Sequence, residues 1–237
     1  MAIEFNNKKI LLVVAHPDDE LLGLGGTMHK LIKENNCKIK VIILGEGITS
    51  RSDSRNVKEW SAELKKHRAN IAKAAKTIGF NGGITPYSLP DNRFDSIALL
   101  DIVKIIEKEK NAFKPEIIFT HHGSDTNIDH RRTFDAVITA TRPMAGEPVK
   151  TIITFETPSS TEWQAANYPN PFLPNLFVTL SKENITAKIN AMECYQYEKR
   201  YYPHPRSPKA LTILSQQRGI TIATEYAEAF MIIRHIN

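Results

Sequence analysis

The sequence has few cysteines and lacks the apolar segments that target a protein to a membrane. Its two cysteines, Cys37 and Cys194, lie far apart with no C-x-x-C spacing, which argues against a disulfide framework and a thiolate metal site. The first ten residues, "MAIEFNNKKI", contain no apolar stretch of signal-peptide length, and no apolar run approaches the ~18 residues of a membrane span. We therefore expect a cytoplasmic protein with no integral membrane segment.

The charge is also unremarkable in amount and distribution. The formal net charge of +5 comes from 31 basic and 26 acidic residues, which are scattered without a run of five like charges. This pattern predicts a mixed, solvated surface rather than a nucleic-acid-binding face. Hydrophobic residues make up 41% and charged residues 24%, as is usual for folded globular proteins.

The N-terminal half alternates short apolar runs with longer segments that have helical periodicity. In order these are "ILLVVAH", 20–35, "KIKVIILG", 56–79, "ITPYSL", 96–111, "EIIFTHH" and 131–143. Strand followed by helix, four times over, is typical of a parallel sheet. Runs such as "ILLVV" are apolar on both faces, as strands between two helical layers must be. The sequence thus predicts an α/β fold with a doubly wound, mostly parallel, Rossmann-like sheet and helices on both faces.

The length of 237 residues fits one domain, 1–237. We predict a parallel βα core over 1–145 and a loop-rich C-terminal extension over 146–237. In the extension, the Pro-rich stretch 157–175 is expected to be a long ordered loop. A strand "LFVTL", a helix over 182–199, a second helix after "YYPHPRSPKAL" and a final strand in "AEAFMIIRHI" follow. The tyrosine- and proline-rich segments offer a surface for homo-oligomer formation.

Polar loops follow each of the four predicted parallel strands. These are "HPDDE", "GEGITSR", "LPDNRFD" and "HHGSDTNIDHR". Because open α/β sheets bind ligands at the carboxyl ends of their strands, we expect the four loops to converge on one cleft.

The first loop places two carboxylates, Asp18 and Asp19, beside each other and close to His16. Two unit charges about 4 Å apart repel by about 4 kcal/mol at an effective dielectric of 20, and a divalent cation would remove the conflict. His16, one of the carboxylates and a histidine from the fourth loop would make a two-His, one-carboxylate set, as catalytic zinc uses. The structural alternative is a helix N-terminus, where acidic residues are also favourable.

His130 is the favoured second histidine, because it lies at the start of the helix after the fourth strand. His121 and His122 are alternatives at the end of that strand, where they could instead pack or contact substrate. Asp129, next to His130, could hold a ligand ring or a backbone group. Spacing does not decide which of the paired carboxylates binds metal; the other could accept a proton from an activated water.

Substrate contacts are expected from the second and third loops. Arg51, Asp91, Asn92 and Arg93 could bind sugar hydroxyls or a phosphate. The alternatives are structural, since "PDN" is a favourable turn composition and a single loop arginine is often a solvated charge.

Other residues receive a structural interpretation. Glu20 fits an acidic residue in the first turn of a helix, and His67 fits an ordinary surface or core residue of a helix. Arg206, in "YYPHPRSP", either closes over the cleft or fixes the extension. Gly23 and Gly26 are expected to allow close packing of a helix; they do not form the G-x-G-x-x-G dinucleotide motif.

The motifs "AHPDDELLGLGGT" (15–27) and "NIDHRRTFDAV" (127–137) together resemble the LmbE-like, or PIG-L, family of zinc-dependent de-N-acetylases. The resemblance continues through "LPDNRFDS", "FETPSSTEW", "YPHPRSPKAL" and "AEAF". It implies removal of acetyl from an N-acetylglucosamine-type sugar or its conjugate. It further implies His16, Asp19 and His130 as ligands of Zn²⁺ or another divalent metal, and Asp18 as general base.

The sequence departs from the family at Asn127, where many members have a histidine that helps to stabilise the oxyanion. An amide can donate a hydrogen bond there, but it cannot carry a positive charge. Two other functions remain open from the sequence: a metal-dependent phosphoesterase or ester hydrolase, and a sugar-binding relative without catalysis.

Overall fold

The computed structural model describes residues 3–237, in which seven strands form one sheet. The strands are β1 (Lys9–Val14), β2 (Lys38–Gly45), β3 (Ile84–Leu89), β4 (Ile117–His121), β5 (Thr151–Phe155), β6 (Leu176–Leu180) and β7 (Tyr226–His235). Their order in the sheet is β3-β2-β1-β4-β5-β7-β6. The strands β1 to β5 pair in parallel, whereas β7 is antiparallel to both of its neighbours. This confirms the predicted doubly wound, mostly parallel sheet.

Helices cover both faces of the sheet. They are α1 (Asp19–Leu22), α2 (Gly25–Lys33), α3 (Ser61–Ile78), α4 (Leu99–Phe113), α5 (Ile128–Ala140), α6 (Lys182–Met192) and α7 (Pro208–Ile220). Alternate residues of β1 enter two separate cores, because successive side chains of a strand point to opposite faces. Ile10, Leu12 and Val14 pack with residues of α2, α3 and α6, and Leu11 and Val13 pack with residues of α4 and α5. A strand buried on both sides explains the unbroken apolar run "ILLVV".

The predicted helix over 20–35 is wrong as a single element, because it breaks into α1 and α2 around Gly23. A Cβ at Gly23 would lie only 2.2 Å from the backbone oxygen of Glu156, at the end of β5. This close approach requires glycine, as the sequence analysis expected, but it also ends α1 after one turn.

The region after residue 145 differs from the prediction in two elements. Strand β5 was not anticipated, and the helix expected over 182–199 ends at Met192. The carboxylate of Glu228, on β7, accepts hydrogen bonds from the backbone N of Gly26 at 3.2 Å and of Thr27 at 2.7 Å. It therefore satisfies free N–H groups in the first turn of α2. Lys188 neutralises this buried carboxylate at 2.7 Å.

Among residues 3–237, none of the helices is both long enough and apolar enough to cross a bilayer.

Candidate functional site

The site lies where the strand order reverses, between β1 and its neighbour β4. The loops after β1, β2, β3 and β4 all contribute to a cleft of about 110 Å³ at this edge, and Glu198 and Arg206 from the C-terminal region complete it. A crevice at such a reversal is the usual ligand site of open α/β sheets. The expected convergence of the four loops is therefore present.

Asp19 Oδ2 occupies the centre of a group of nitrogen atoms. It accepts a hydrogen bond from the backbone N of His16 at 2.8 Å, and it lies 3.4 Å from His16 Nδ1 and 3.3 Å from His130 Nε2. One ligand atom from each of these three residues falls within 4.8 Å of the others. Burial by itself would raise the pKa of Asp19, but the electrostatic interactions and hydrogen bonds of His130 and His121 together outweigh it and hold that pKa well below its usual value.

Asp129 fixes the ring of His16. Its Oδ2 lies 2.8 Å from His16 Nε2, and its carboxylate also accepts the backbone N–H groups of Asn92 at 2.7 Å and Phe94 at 2.9 Å. Because the Asp129 carboxylate acts as an acceptor, Nε2 carries a hydrogen, and Nδ1, which faces Asp19, is the ring nitrogen that can bind a metal once its own proton has left. A second possible ligand group combines His16 with Asp91 and Asp129, but it offers one imidazole, whereas the group around Asp19 offers the two imidazoles that catalytic zinc often uses.

Asp125 has the corresponding position beside His130, with Oδ1 3.2 Å from Nδ1. Its carboxylate accepts hydrogen bonds from the hydroxyl groups of Ser160 and Thr161. Burial would lower the pKa of His130, but Asp19 and Asp125 raise it to about 9. Asp125 lies in the fourth polar loop but is not among the site residues predicted from the sequence.

The two alternative histidines already have other partners. His121 Nε2 also lies 3.3 Å from Asp19 Oδ2, but it accepts the backbone N–H of Ala15 at 3.0 Å. Its proton must therefore lie on Nδ1, which is 3.2 Å from Thr157 Oγ1. Burial, assisted by the charge of His130, lowers the pKa of His121 to about 4. His122 Nε2 donates to the backbone oxygen of Asn170 at 2.9 Å. Of these three histidines, the geometry leaves His130 as the one grouped with His16 and Asp19.

Asp18 lies beside the group and is held in an unusual backbone conformation. Its φ of 104° falls in the left-handed region, which costs a residue other than glycine about 1–3 kcal/mol. The side chain is 1% exposed, and Arg206 Nη1 donates to its Oδ2 at 2.8 Å. Burial raises the pKa of Asp18 well above its usual value, although the charge of Arg206 opposes this.

Glu20 is not merely an acidic residue in a first helical turn, which corrects the interpretation from sequence. Its side chain is fully buried; Oε2 accepts the backbone N–H of Asp18 at 2.9 Å, and Oε1 accepts the hydroxyl of Tyr195. Burial raises the pKa of Glu20 to about 7. The residue supports the backbone that carries Asp18.

Asn127 caps helix α5, and its Oδ1 accepts the backbone N–H of Asp129 at 2.8 Å. Its Nδ2 donates to Asn92 Oδ1 at 3.0 Å. Asp91 accepts from the backbone N and the hydroxyl of Ser50 at 3.0 and 2.7 Å. Asn127, Asn92 and Asp91 all line the cleft.

The two predicted arginine contacts differ in position. Arg51 lines the cleft and forms a 2.5 Å ion pair with Glu198. Arg93 is half-buried and, within residues 3–237, is not among the residues that line this cleft.

His67 also differs from its interpretation as an ordinary helix residue. It lines the cleft and is 1% exposed, and neither ring nitrogen has a hydrogen-bond partner among the described residues. Burial lowers its pKa, which favours the neutral ring. Helical periodicity places such a residue on a buried face but does not show that the face borders a cleft.

The residues around Asp19 fit a divalent metal. Two imidazoles and one carboxylate are a usual set for catalytic zinc, which leaves a position for water or substrate. His16 and His130 each have a carboxylate at the ring nitrogen that does not face Asp19, an arrangement common for metal-binding histidines. Buried Asp18 and Asp19 also lie side by side, and a cation would relieve their repulsion.

The chain is similar in sequence to known de-N-acetylases and deacetylases. The model of the PIG-L family, described as GlcNAc-PI de-N-acetylase, matches residues 11–141, which is more than half of the chain. The protein is 27% identical over 190 residues to the uncharacterized deacetylase YaiS of Escherichia coli K12, covering 78% of this chain and 89% of YaiS.

Solved structures with the same fold carry different activities. The N,N'-diacetylchitobiose deacetylase of Pyrococcus horikoshii aligns with a TM-score of 0.71 at 19% identity, covering 96% of this chain and 84% of that one. The 4-carboxy-2-hydroxymuconate hydratase GalB of Pseudomonas putida KT2440 aligns with a TM-score of 0.70, also at 19% identity, covering 97% and 98%. At this identity the likeness establishes the fold alone, so the reaction has to be argued from the site.

Proposed function

Because the chain belongs to the PIG-L family of de-N-acetylases, we propose that it removes the acetyl group from an N-acetylglucosamine-type amino sugar or its conjugate, using a divalent metal. The observation that carries the proposal is the buried group of His16, Asp19 and His130 with Asp18 beside it. Hydrolysis of an amide needs a polarised carbonyl and a base for water, and these residues are suited to supply both.

His16 Nδ1, His130 Nε2 and the Asp19 carboxylate would hold the metal, which we propose to be Zn²⁺; another divalent ion would fit the same donors. Such a cation polarises a carbonyl oxygen and makes a water molecule easier to deprotonate. Asp129 and Asp125 keep the two imidazoles in the orientation that this requires.

Asp18 is the proposed general base. Arg206 occupies its Oδ2, so Oδ1 is the oxygen that takes the proton from water. The same carboxyl group can then pass that proton to the sugar nitrogen as acetate leaves. Burial raises the pKa of Asp18, and a raised pKa makes a carboxylate a better proton acceptor near neutral pH.

Asn127 is the proposed hydrogen-bond donor to the developing oxyanion. A side-chain amide has two N–H hydrogens, and one of those on Nδ2 is directed to Asn92. The second is available to the cleft. Because the amide cannot donate a proton, protonation of the leaving amine is assigned to Asp18.

The lining of the cleft favours an uncharged, hydroxyl-rich substrate. Arg51 and Arg206 are both paired with Glu198, and Arg206 also with Asp18, so neither arginine presents an unbalanced positive charge. Asp91 and Asn92 offer polar atoms for sugar hydroxyls, as does Arg51. A contact from Arg93 remains a prediction from the sequence.

The test compares acetate release from N-acetylglucosamine derivatives with phosphate release from phosphosugars. We expect acetate only. Asp18→Asn should lower kcat by about 10²–10⁴-fold with unchanged metal content, whereas Asp101→Asn, an exposed change on α4, should have no effect. Full activity of Asp18→Asn would show that Asp18 is not the base. Phosphate release by the wild-type protein would favour the phosphoesterase function. Binding of the sugar without turnover would favour the non-catalytic, sugar-binding relative.

A further inference from the structure

Two side chains from the C-terminal region hold Asp18, one by its carboxylate and one by its backbone. Arg206 Nη1 donates to Asp18 Oδ2 at 2.8 Å. The hydroxyl of Tyr195 donates to Glu20, whose other oxygen accepts the backbone N–H of Asp18. These contacts join residues that lie 188 and 175 positions apart in the sequence. The proposed base is thus positioned from outside its own loop.

The guanidinium of Arg206 is itself fixed by two further acceptors. Its Nε donates to Ser159 Oγ at 2.7 Å, and Nη1 also reaches Glu198 Oε2 at 3.2 Å. Glu198 is in turn paired with Arg51. A planar guanidinium with donors in a rigid fork, held at three points, has one preferred orientation. It can therefore impose an orientation on the group that it binds.

Asp18 requires such an external contact. The carboxylates of Asp19, Glu20 and Glu198 repel the carboxylate of Asp18, because they carry charge of the same sign. The short side chain can rotate about χ1 even when the left-handed backbone is fixed. Among the described residues, Arg206 is the cation paired with it.

We propose that Arg206 is a positioning residue that holds the carboxylate of Asp18 in the orientation needed for proton transfer. The inference rests on the proposed function, because Asp18 matters in this way only if it is the base. Arg206 does not contact the ligand group around Asp19 in this arrangement. Its loss should therefore act on turnover and leave metal binding unchanged.

The experiment compares Arg206→Ala and Arg206→Lys with a matched control, Arg218→Ala. Arg218 has the same side-chain exposure as Arg206, 22%, and forms a two-point ion pair with Glu156, but it does not line the cleft. Each variant is assayed for kcat, KM and metal content with the N-acetyl sugar, with and without added guanidinium ion. A crystal structure of Arg206→Ala gives a readout that does not depend on activity.

For Arg206→Ala we expect kcat to fall by about 10²-fold, since a misplacement of about 1 Å can cost that much. KM and metal content should stay within about twofold of the wild-type values, a range chosen to match assay error. Guanidinium ion should restore at least part of the lost kcat in Arg206→Ala, but none in Asp18→Asn. The structure should show the Asp18 carboxylate rotated away from its wild-type position. Arg206→Lys keeps the positive charge but lacks the planar guanidinium with its several donors, so it should retain a small part of the activity.

The inference is overturned if Arg206→Ala keeps the wild-type kcat, or if the substitution changes KM or metal content instead of kcat. It is also overturned if the Asp18 carboxylate has the same position in the crystal structure of Arg206→Ala as in the wild-type protein. A loss of kcat of the same size in Arg218→Ala would also overturn the inference, because the loss would then follow from removing any partly buried, paired arginine. Should Arg206→Ala not fold, Arg206→Met, which keeps the apolar stem, is tested by the same criteria. Absence of acetate release from the wild-type protein would instead refute the proposed function, and the inference with it.

Discussion

Binding of Zn²⁺ between His16 and His130 should displace more than one proton at pH 7. The carboxylates of Asp19 and Asp125, acting against burial, raise the pKa of His130 to about 9, so about 99% of this imidazole is protonated at pH 7 before a cation binds. Burial also opposes the pKa shift of His16, but the hydrogen bonds to Asp129 and Asp19 raise it well above its ordinary value. Metal coordination requires an unprotonated ring nitrogen, so His130 must lose about one proton and His16 must lose more than an ordinary imidazole would.

An unperturbed pair of imidazoles would behave differently. With a pKa of about 6.5, each would be about 24% protonated at pH 7, and the pair would release only about half a proton. Calorimetric titration with Zn²⁺, in two buffers that differ in ionisation enthalpy and do not bind the metal, measures this number directly. The proton on His130 alone should also make Zn²⁺ binding about ninefold tighter from pH 7 to pH 8, against about 1.3-fold for an ordinary imidazole.

Asp125→Asn provides the matched variant. It removes the charge 3.2 Å from His130 Nδ1 while leaving His16, Asp19 and His130 in place. Proton release at pH 7 should then fall by up to about three-quarters of a proton, as the pKa of His130 returns toward its ordinary value of about 6.5. Ionisation of a water molecule beside the cation contributes in both proteins and cancels in the difference. Release of half a proton by the wild-type protein, unchanged in the variant, would refute the electrostatic reasoning.

Two further predictions concern stability. Lys188→Met should lower the free energy of unfolding by about 3–5 kcal/mol, because it leaves the buried Glu228 without its cation; urea denaturation measures the change, and adding Glu228→Gln should recover part of it. Gly23→Ala would bring a Cβ to within 2.2 Å of the backbone oxygen of Glu156, and overpacking of this kind costs about 1–3 kcal/mol. Gly79→Ala, with φ of 94° and open space around it, should lose about 1–2 kcal/mol through its backbone alone. An unchanged melting temperature of either alanine variant would contradict the corresponding argument.

The parallel part of the fold was predictable because its signals are local. Strands β1, β2 and β4 are apolar on both faces, and that pattern arises wherever a strand lies between two helical layers. Strand β5 was missed because the run "TIITF" is short and the loop 157–175, rather than a helix, follows it. Its only signal was β-branched composition over five residues. The break at Gly23 could not be predicted either, since it depends on the tertiary approach to Glu156.

The candidate site also contains residues whose positions could be predicted from the sequence and contacts that could not. His16, Asp18 and Asp19 adjoin one strand end and His130 follows another, so topology alone predicts that they meet. The contacts of Tyr195 and Arg206 depend on where the C-terminal region folds back, and no spacing rule specifies pairs so far apart in sequence. Glu20 was misinterpreted for this reason, because its partner Tyr195 lies 175 positions away.

The position of β7 has a consequence for how the protein forms. β6 pairs with β7, and β7 pairs with β5, so β6 has no hydrogen-bonded neighbour in the sheet until a segment more than 40 residues downstream of it has been synthesised. A nascent chain that has reached α6 therefore exposes an unpaired strand edge, which is prone to association with other chains. Glu228 also arrives with β7, so α2 lacks its N-terminal carboxylate until then. Translation must pass β7 before this half of the sheet can close.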